Sequence, residues 1–424
     1  MSVSTDSLVP VQEPEAPGQK HWPPAIWALL VITLVARSFG FVYPFLSYHL
    51  KDLGYSTQAV GQVLAVFGVG WLFGQLITGW AADTIGRRRT LVIAMTTAAV
   101  CLPLMAQAQD FAAVCAGALI AGTVYDAPRP VVSAVIADLI TEDAQRAAVN
   151  GWRYGAVNIG AALTGAVGGL LASHLGFQAL FWINALACAV CAAIVQRHLS
   201  SDTPNATSSD PGAPPFTGYV LRDARLWLLW AASIATLTCA AGMFSALPML
   251  MEHDGLAASA YGWTQVANAL AVIALTPLLT PWLSHRCGGQ RPMLGTFAAS
   301  ALLLGVGMGS AGLADTTLGY SIAVAAAVPG EIVFFIAASD ILNRISPHQA
   351  RGLYAGIWGS SLAIAVIIAP VLAAVSLTQG GDSLTALTTL SAGALGAVLC
   401  LPLIRLIQQD PPAAAPATPA HTTS

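Results

Sequence analysis

The chain is a succession of apolar stretches, each long enough to cross a lipid bilayer, separated by short polar breaks. A spanning helix needs about 20 apolar residues, and the runs give about twelve of them. They cover 24–47, 58–82, 89–108, 111–139, 147–173, 177–197, 225–250, 260–284, 292–313, 318–343, 352–377 and 384–407. The breaks hold turn chemistry: Gly54, Gly86, Gln107 to Asp110, Gly255, Gly288-Gly289, Asp315 and Gly380-Gly381-Asp382. Only 9% of residues are charged, against roughly 25% in a soluble domain. The fold class that follows is all-α integral membrane. A net charge of −3 gives no reason to expect a nucleic acid partner. The first run is too long for a signal peptide and reads as a retained helix. Cys188 and Cys191 form a CxxC, but on an apolar helix with no Cys or His nearby in sequence, which favours packing over metal.

Orientation follows from the basic residues. With twelve spans, Lys51 alone falls on one side. Arg37, Arg129 and Arg153 fall within spans, and every other Lys and Arg falls on the side of the termini. Positive charge gathers on the cytoplasmic side of membrane proteins, so both termini are expected there, in a plasma or inner membrane. The expected organisation is a disordered N-terminal segment (1–22), a six-helix half (23–199), a linker rich in Ser, Pro, Asp and Thr (200–222), a second six-helix half (223–408) and a disordered tail (409–424). A shift of 205 residues places Asp126 on Glu331, Arg146 on Arg351 and Gly151 on Gly356, which supports an internal repeat.

An ionisable side chain mid-bilayer costs at least about 2.5–3.5 kcal/mol unless partnered, so the few present call for a function. Arg37 lies mid-way along the first span, Asp126 and Arg129 in the fourth, Arg153 in the fifth and Glu331 in the tenth. A carboxylate poised between burial and a neighbouring arginine can load and release protons. Asp126 with Arg37 or Arg129 is the leading candidate for proton coupling and Glu331 the second. A fixed ion pair holding helices together is the alternative for each. Asp138, Asp340 and Arg344 lie near span ends and read as gate or interface charges. Tyr43, Phe45, Trp71, Tyr125, Trp152, Phe244, Phe334 and Trp358 fall deep in spans, where packing and cavity lining both remain open.

The break between the second and third spans reads Gly79-Trp80-Ala81-Ala82-Asp83-Thr84-Ile85-Gly86-Arg87-Arg88-Arg89. Gly79, Asp83, Gly86, Arg87 and Arg88 resemble the signature of the major facilitator superfamily at the same place in the chain. The resemblance implies two pseudo-symmetric six-helix bundles and alternating access. It also implies that Asp83 acts as a conformational switch near the start of the eleventh helix, where a helix dipole favours negative charge. Helices one, four, seven and ten would line a central cavity. Residues 158–169 (NIGAALTGAVGG) resemble the glycine motif of the drug:proton antiporter branch, with Thr164-Gly165 where the family has Gly-Pro. Gly160, Thr164 and Gly168 form one small-residue stripe, and Ala161, Gly165 and Gly169 another; plain packing and a hinge are both open readings. Arg129 resembles that branch's fourth-helix arginine.

Other classes find little support. Neither lysine stands in a Gly-Lys-Ser/Thr phosphate loop, and no HExxH or GxSxG is present, so an ATP-driven pump and an intramembrane enzyme are disfavoured. The function expected is a secondary transporter, a monomer with no cofactor beyond a proton gradient. It would exchange protons for export of a small organic compound. Proton-coupled import, passive facilitation and a non-transporting sensor are the alternatives.

Overall fold

A computed structural model of the chain describes residues 22–140, 143–200, 220, 222–287, 292–347 and 351–409. The expected N-terminal segment, linker and tail fall almost wholly outside these residues, as does 288–291 in the second-half echo of the arginine stretch. Among the described residues there are eleven helical segments long and apolar enough to span a membrane. The last, Tyr354–Ile407, runs for 54 residues. At 1.5 Å per residue that is about 80 Å, far more than one bilayer crossing. Gly381, at φ 63°, folds it back on itself, so the segment crosses twice and the total is twelve. Gly381 alone makes this turn; the helix otherwise continues through the 378–383 gap expected from sequence.

The twelve spans form two six-helix bundles, and the chain is a multi-pass membrane protein. In the first bundle, the second span packs on the fourth, the third on the sixth, and the first on the fifth and sixth. In the second, the seventh packs on the eleventh and twelfth, and the ninth on the tenth and twelfth. Trp230 Nε1 donates to Ser360 Oγ (3.0 Å) and Trp358 Nε1 to Ser233 Oγ (3.0 Å), tying the seventh span to the eleventh. The exterior carries large apolar side chains, Leu278 at 71% exposed and Trp80 at 67% among them, as a lipid-facing surface requires. Between the second and third spans Gly86 adopts φ 93°, a backbone conformation that disfavours a Cβ.

Three spans that read as single helices are interrupted at mid-depth. The first divides into Pro24–Ser38 and Val42–Asp52. The fourth divides into Phe111–Tyr125 and Pro128–Leu139. The seventh divides into Ala224–Ala241 and Ala246–His253, joined by a 3-10 turn at Gly242–Phe244. Non-helical backbone in a membrane needs partners for its freed groups. In the first span they come from other helices: Thr164 Oγ1 donates to the Arg37 carbonyl, and Val42 N–H donates to Asn184 Oδ1 at 3.4 Å. In the fourth, Pro130 has no N–H to offer the Asp126 carbonyl, and Arg129 N–H bonds it instead at 3.0 Å.

The two bundles meet tightly at the Lys51 end. Lys51 Nζ pairs with Glu252 Oε2 at 3.4 Å. Tyr261 of the eighth span packs against Phe45 and Tyr48 of the first, ring centroids 5.5 and 6.2 Å apart. The fifth and eighth spans touch backbone to backbone at Gly165 and Gly262, and the second meets the eleventh at Gly61 and Pro370. Toward the arginine-rich end, Gly79, Gly151 and Gly155 on one bundle and Gly356 and Gly359 on the other face open space. The bundles are packed together at the Lys51 end, while at the other end these five glycines have no heavy atom within 4 Å of where a Cβ would stand.

Candidate functional site

The interruption of the fourth span sets Asp126 at the end of a half-helix, 4% exposed. Three donors converge on its carboxylate. Arg37, in the last turn of the first half-helix, reaches Oδ1 with Nη2 at 3.0 Å. Arg129, one turn beyond the break, reaches Oδ2 with Nε at 2.8 Å. Gln75 Nε2 donates to Oδ2 at 3.3 Å. Arg153 extends the cluster from the fifth span, with Nη1 donating to Ser133 Oγ at 2.6 Å and Nη2 to the Arg129 carbonyl at 3.1 Å. Both arginines proposed as partners of Asp126 therefore hold it at once.

An aromatic wall adjoins this cluster. The Arg37 guanidinium lies over the Tyr125 ring, 5.8 Å from its centroid. Tyr125 packs on Phe67 and Trp71 (5.3 Å each) and on Tyr43 (5.6 Å). Tyr43 meets Phe244 of the seventh span across the seam at 6.2 Å. Of the deep aromatics singled out from sequence, Tyr43, Trp71, Tyr125 and Phe244 join this wall. Phe334 packs with Phe297 in the second bundle (5.2 Å), and Trp152 is 64% exposed.

Glu331 stands apart. It has no hydrogen bond, ion pair or charged neighbour among the described residues. Tyr154, next to Arg153 on the fifth span, lies within its electrostatic reach across the seam. The internal repeat aligns Asp126 with Glu331, yet their surroundings differ: one carboxylate is held by two guanidiniums, the other by none.

The two small-residue stripes of the fifth span do different work. A Cβ at Gly160 would meet Arg37 and one at Gly168 would meet Phe45 and Phe41, so this stripe, with Thr164, seats the broken first span. Gly165 and Gly169 face Gly262, Gln265 and Ser259 of the eighth span, at the seam between bundles. In the arginine stretch, Arg87 pairs with Asp138 at the end of the fourth span. Arg88 Nη2 donates to the Gln196 carbonyl at 2.6 Å. The Asp83 side chain and the side chains of 351–353 lie outside the described residues. Asp340 pairs with Arg344 at 2.9 Å and accepts the Met293 N–H at 3.1 Å. Cys191 Sγ donates to the Ile32 carbonyl and Cys188 accepts from Asn184, an ordinary packing arrangement.

Sequence reasoning missed Gln75 and the Lys51–Glu252 pair. A glutamine inside an apolar run was a signal for the first. Nothing local marks the second, since its partners lie on different bundles.

The family model of the Major Facilitator Superfamily matches residues 28–339 and 244–423. The chain belongs to the Major Facilitator Superfamily. Among curated relatives, the quinolone resistance protein NorA of Staphylococcus aureus is 26% identical over 178 residues, which is 42% of this chain and 45% of NorA. The MFS transporter paaT of Penicillium rubens is 26% identical over 183 residues, 41% of this chain and 32% of that protein. The matched stretch thus spans less than half the length of these relatives. Among solved structures, a peptide transporter POT in complex with sulfate superposes with a TM-score of 0.74 at 17% identity, covering 93% of this chain and 96% of that one. The POT family transporter PepTSo gives 0.75 at 14% identity, covering 92% and 99%. At these identities the likeness is one of fold. Family and fold are those of transporters rather than enzymes.

Proposed function

We propose that this superfamily member is a secondary transporter that exports a small organic compound in exchange for protons, with Glu331 as the proton-exchanging carboxylate. The observation that carries the reading is the contrast between the two intramembrane acids. Asp126 is tied into ion pairs with both Arg37 and Arg129. Glu331 can gain and lose a proton without breaking an ion pair. The efflux direction takes its support from the likeness to NorA, a quinolone resistance protein by name. With the arginine-rich end cytoplasmic, the state described here faces inward. Rocking of the two halves about the central cluster would then close that end and part Lys51 from Glu252. Residues 79–89 would act as the switch at the cytoplasmic end, through Asp83.

The test is reconstitution in liposomes under an imposed pH gradient, with a panel of quinolones and aromatic acids. The expected result is substrate movement coupled to proton movement and abolished by an uncoupler. Equal flux with and without the gradient would make it a passive facilitator. Neither substrate nor proton flux would make it a non-transporting protein of this fold.

Asp126 then has a structural role. Asp126→Asn removes the only carboxylate among the described residues that Arg37 and Arg129 share and is expected to cost about 3–5 kcal/mol, the usual effect of breaking a buried ion pair. Thermal unfolding in detergent measures it. A variant as stable as wild type but unable to couple protons would return the coupling role to Asp126.

A further inference from the structure

We propose that the first bundle binds an anionic group of the substrate between Arg129 and Arg153, so that the transported class is aromatic carboxylates, or zwitterions carrying one, rather than simple organic cations. This rests on the transport reading above and narrows it. The cluster sets three guanidiniums, Arg37, Arg129 and Arg153, against one carboxylate, Asp126. Arg153 lies within electrostatic reach of all three of the others. Two positive charges are thus left without a counter-charge among the described residues, inside membrane-spanning helices where unpaired charge is expensive and marks function.

The geometry shows where the missing charge would sit. Asp126 Oδ1 is taken by Arg37 and Oδ2 by Arg129 and Gln75. Arg129 meets this carboxylate through its Nε. Its side chain is 45% exposed, so the guanidinium remains accessible beside the pair. Arg153 is anchored to the Arg129 carbonyl and to Ser133, one turn along the same half-helix, which fixes its guanidinium against the half-helix that carries Arg129. Guanidiniums, with their planar fork of donors, suit a carboxylate. The half-helix Pro128–Leu139 begins here, so its positive end adds to the field. Pro128 and Pro130 have no N–H and Arg129 N–H is already bonded, so recognition falls to side chains rather than to the backbone. The body of the ligand is set by what lies next to this pair. The partly exposed faces of Tyr125 and Phe244 offer an aromatic surface beside the cluster, at the seam.

The proposal is tested with two probes that share a ring and differ in charge, 1-naphthoate and 1-naphthylmethylammonium, titrated into the purified full chain in nanodiscs without any gradient. Wild type is expected to bind naphthoate at least about tenfold more tightly than the amine, the scale of one desolvated charge contact. Arg129→Gln and Arg153→Gln should each remove that preference, Arg129→Lys should keep part of it, and Arg197→Gln, at an exposed position near a span end, should leave it unchanged. Equal or tighter binding of the amine by wild type overturns the proposal and needs no variant to fold. Undiminished naphthoate binding in both glutamine variants overturns it as well. Arg129-dependent naphthoate binding in a protein that moves no protons would sink the transport reading and leave the anion site standing. Proton-coupled transport of the amine in preference to the acid would do the reverse.

Discussion

Glu331→Gln is expected to lower substrate accumulation driven by a pH gradient by at least about tenfold, to the level of empty liposomes, while leaving the protein folded. The amide keeps the size and hydrogen-bonding capacity of the acid but carries no exchangeable charge. Because no ion pair holds Glu331 among the described residues, the substitution breaks none. Removing an uncompensated charge from a membrane interior should leave thermal stability unchanged or raise it. Exchange of labelled for unlabelled substrate across the bilayer requires no net proton movement, so it should survive. That split between lost accumulation and retained exchange separates a coupling residue from a binding residue. Gradient-driven accumulation at the wild-type rate in the glutamine variant would remove Glu331 from the proton path.

Gly262→Val is expected to abolish transport by preventing closure at the Lys51 end. A Cβ at Gly262 would run into the Gly165 carbonyl oxygen, and one at Gly165 would lie 2.8 Å from that of Gly262. These neighbours are backbone atoms of rigid helices and cannot swing aside. A branched side chain must drive the fifth and eighth spans apart, and with them the two bundles. Alternating access needs both closed states, so turnover should fall at least about tenfold, a barrier increase of about 1.4 kcal/mol or more. The geometry can be read directly in a background lacking the native cysteines. A Lys51→Cys, Glu252→Cys pair should cross-link readily with glycine at 262 and slowly with valine. Gly295→Ala, at an exposed position on the ninth span that faces open space, is the control and should transport normally. Wild-type cross-linking together with wild-type turnover in Gly262→Val would show that the seam is looser than this packing implies.

The membrane class and the number of spans were legible because hydropathy reports them directly: twelve apolar runs are twelve crossings. The turn at Gly86 was legible for a similar reason, since its arginines and glycine are adjacent in sequence. The interruptions were not. Residues 24–47, 111–139 and 225–250 each read as one continuous span, and the charges and prolines inside them do not by themselves mark a break whose freed backbone groups find partners elsewhere. The Arg37 carbonyl is bonded by Thr164, 127 residues away, and Val42 N–H by Asn184, 142 residues away. The same limit reordered the acids. Sequence put Asp126 first because arginines were near, without showing that two would bind it together and that none would reach Glu331. Thr164, which looked like a departure from a family motif, has a role only the fold reveals: it supplies the hydrogen bond that the broken first helix lacks.

One further consequence lies in the pair that closes the seam. Apart from Lys20 near the N-terminus, Lys51 is the chain's only lysine, and it is bound to Glu252 of the opposite bundle. Its amine is therefore a native chemical clock. An impermeant acylating reagent added from the Lys51 side should modify it slowly while the pair holds and quickly once the bundles separate. The rate would count how often this end opens, with no label introduced and no residue changed.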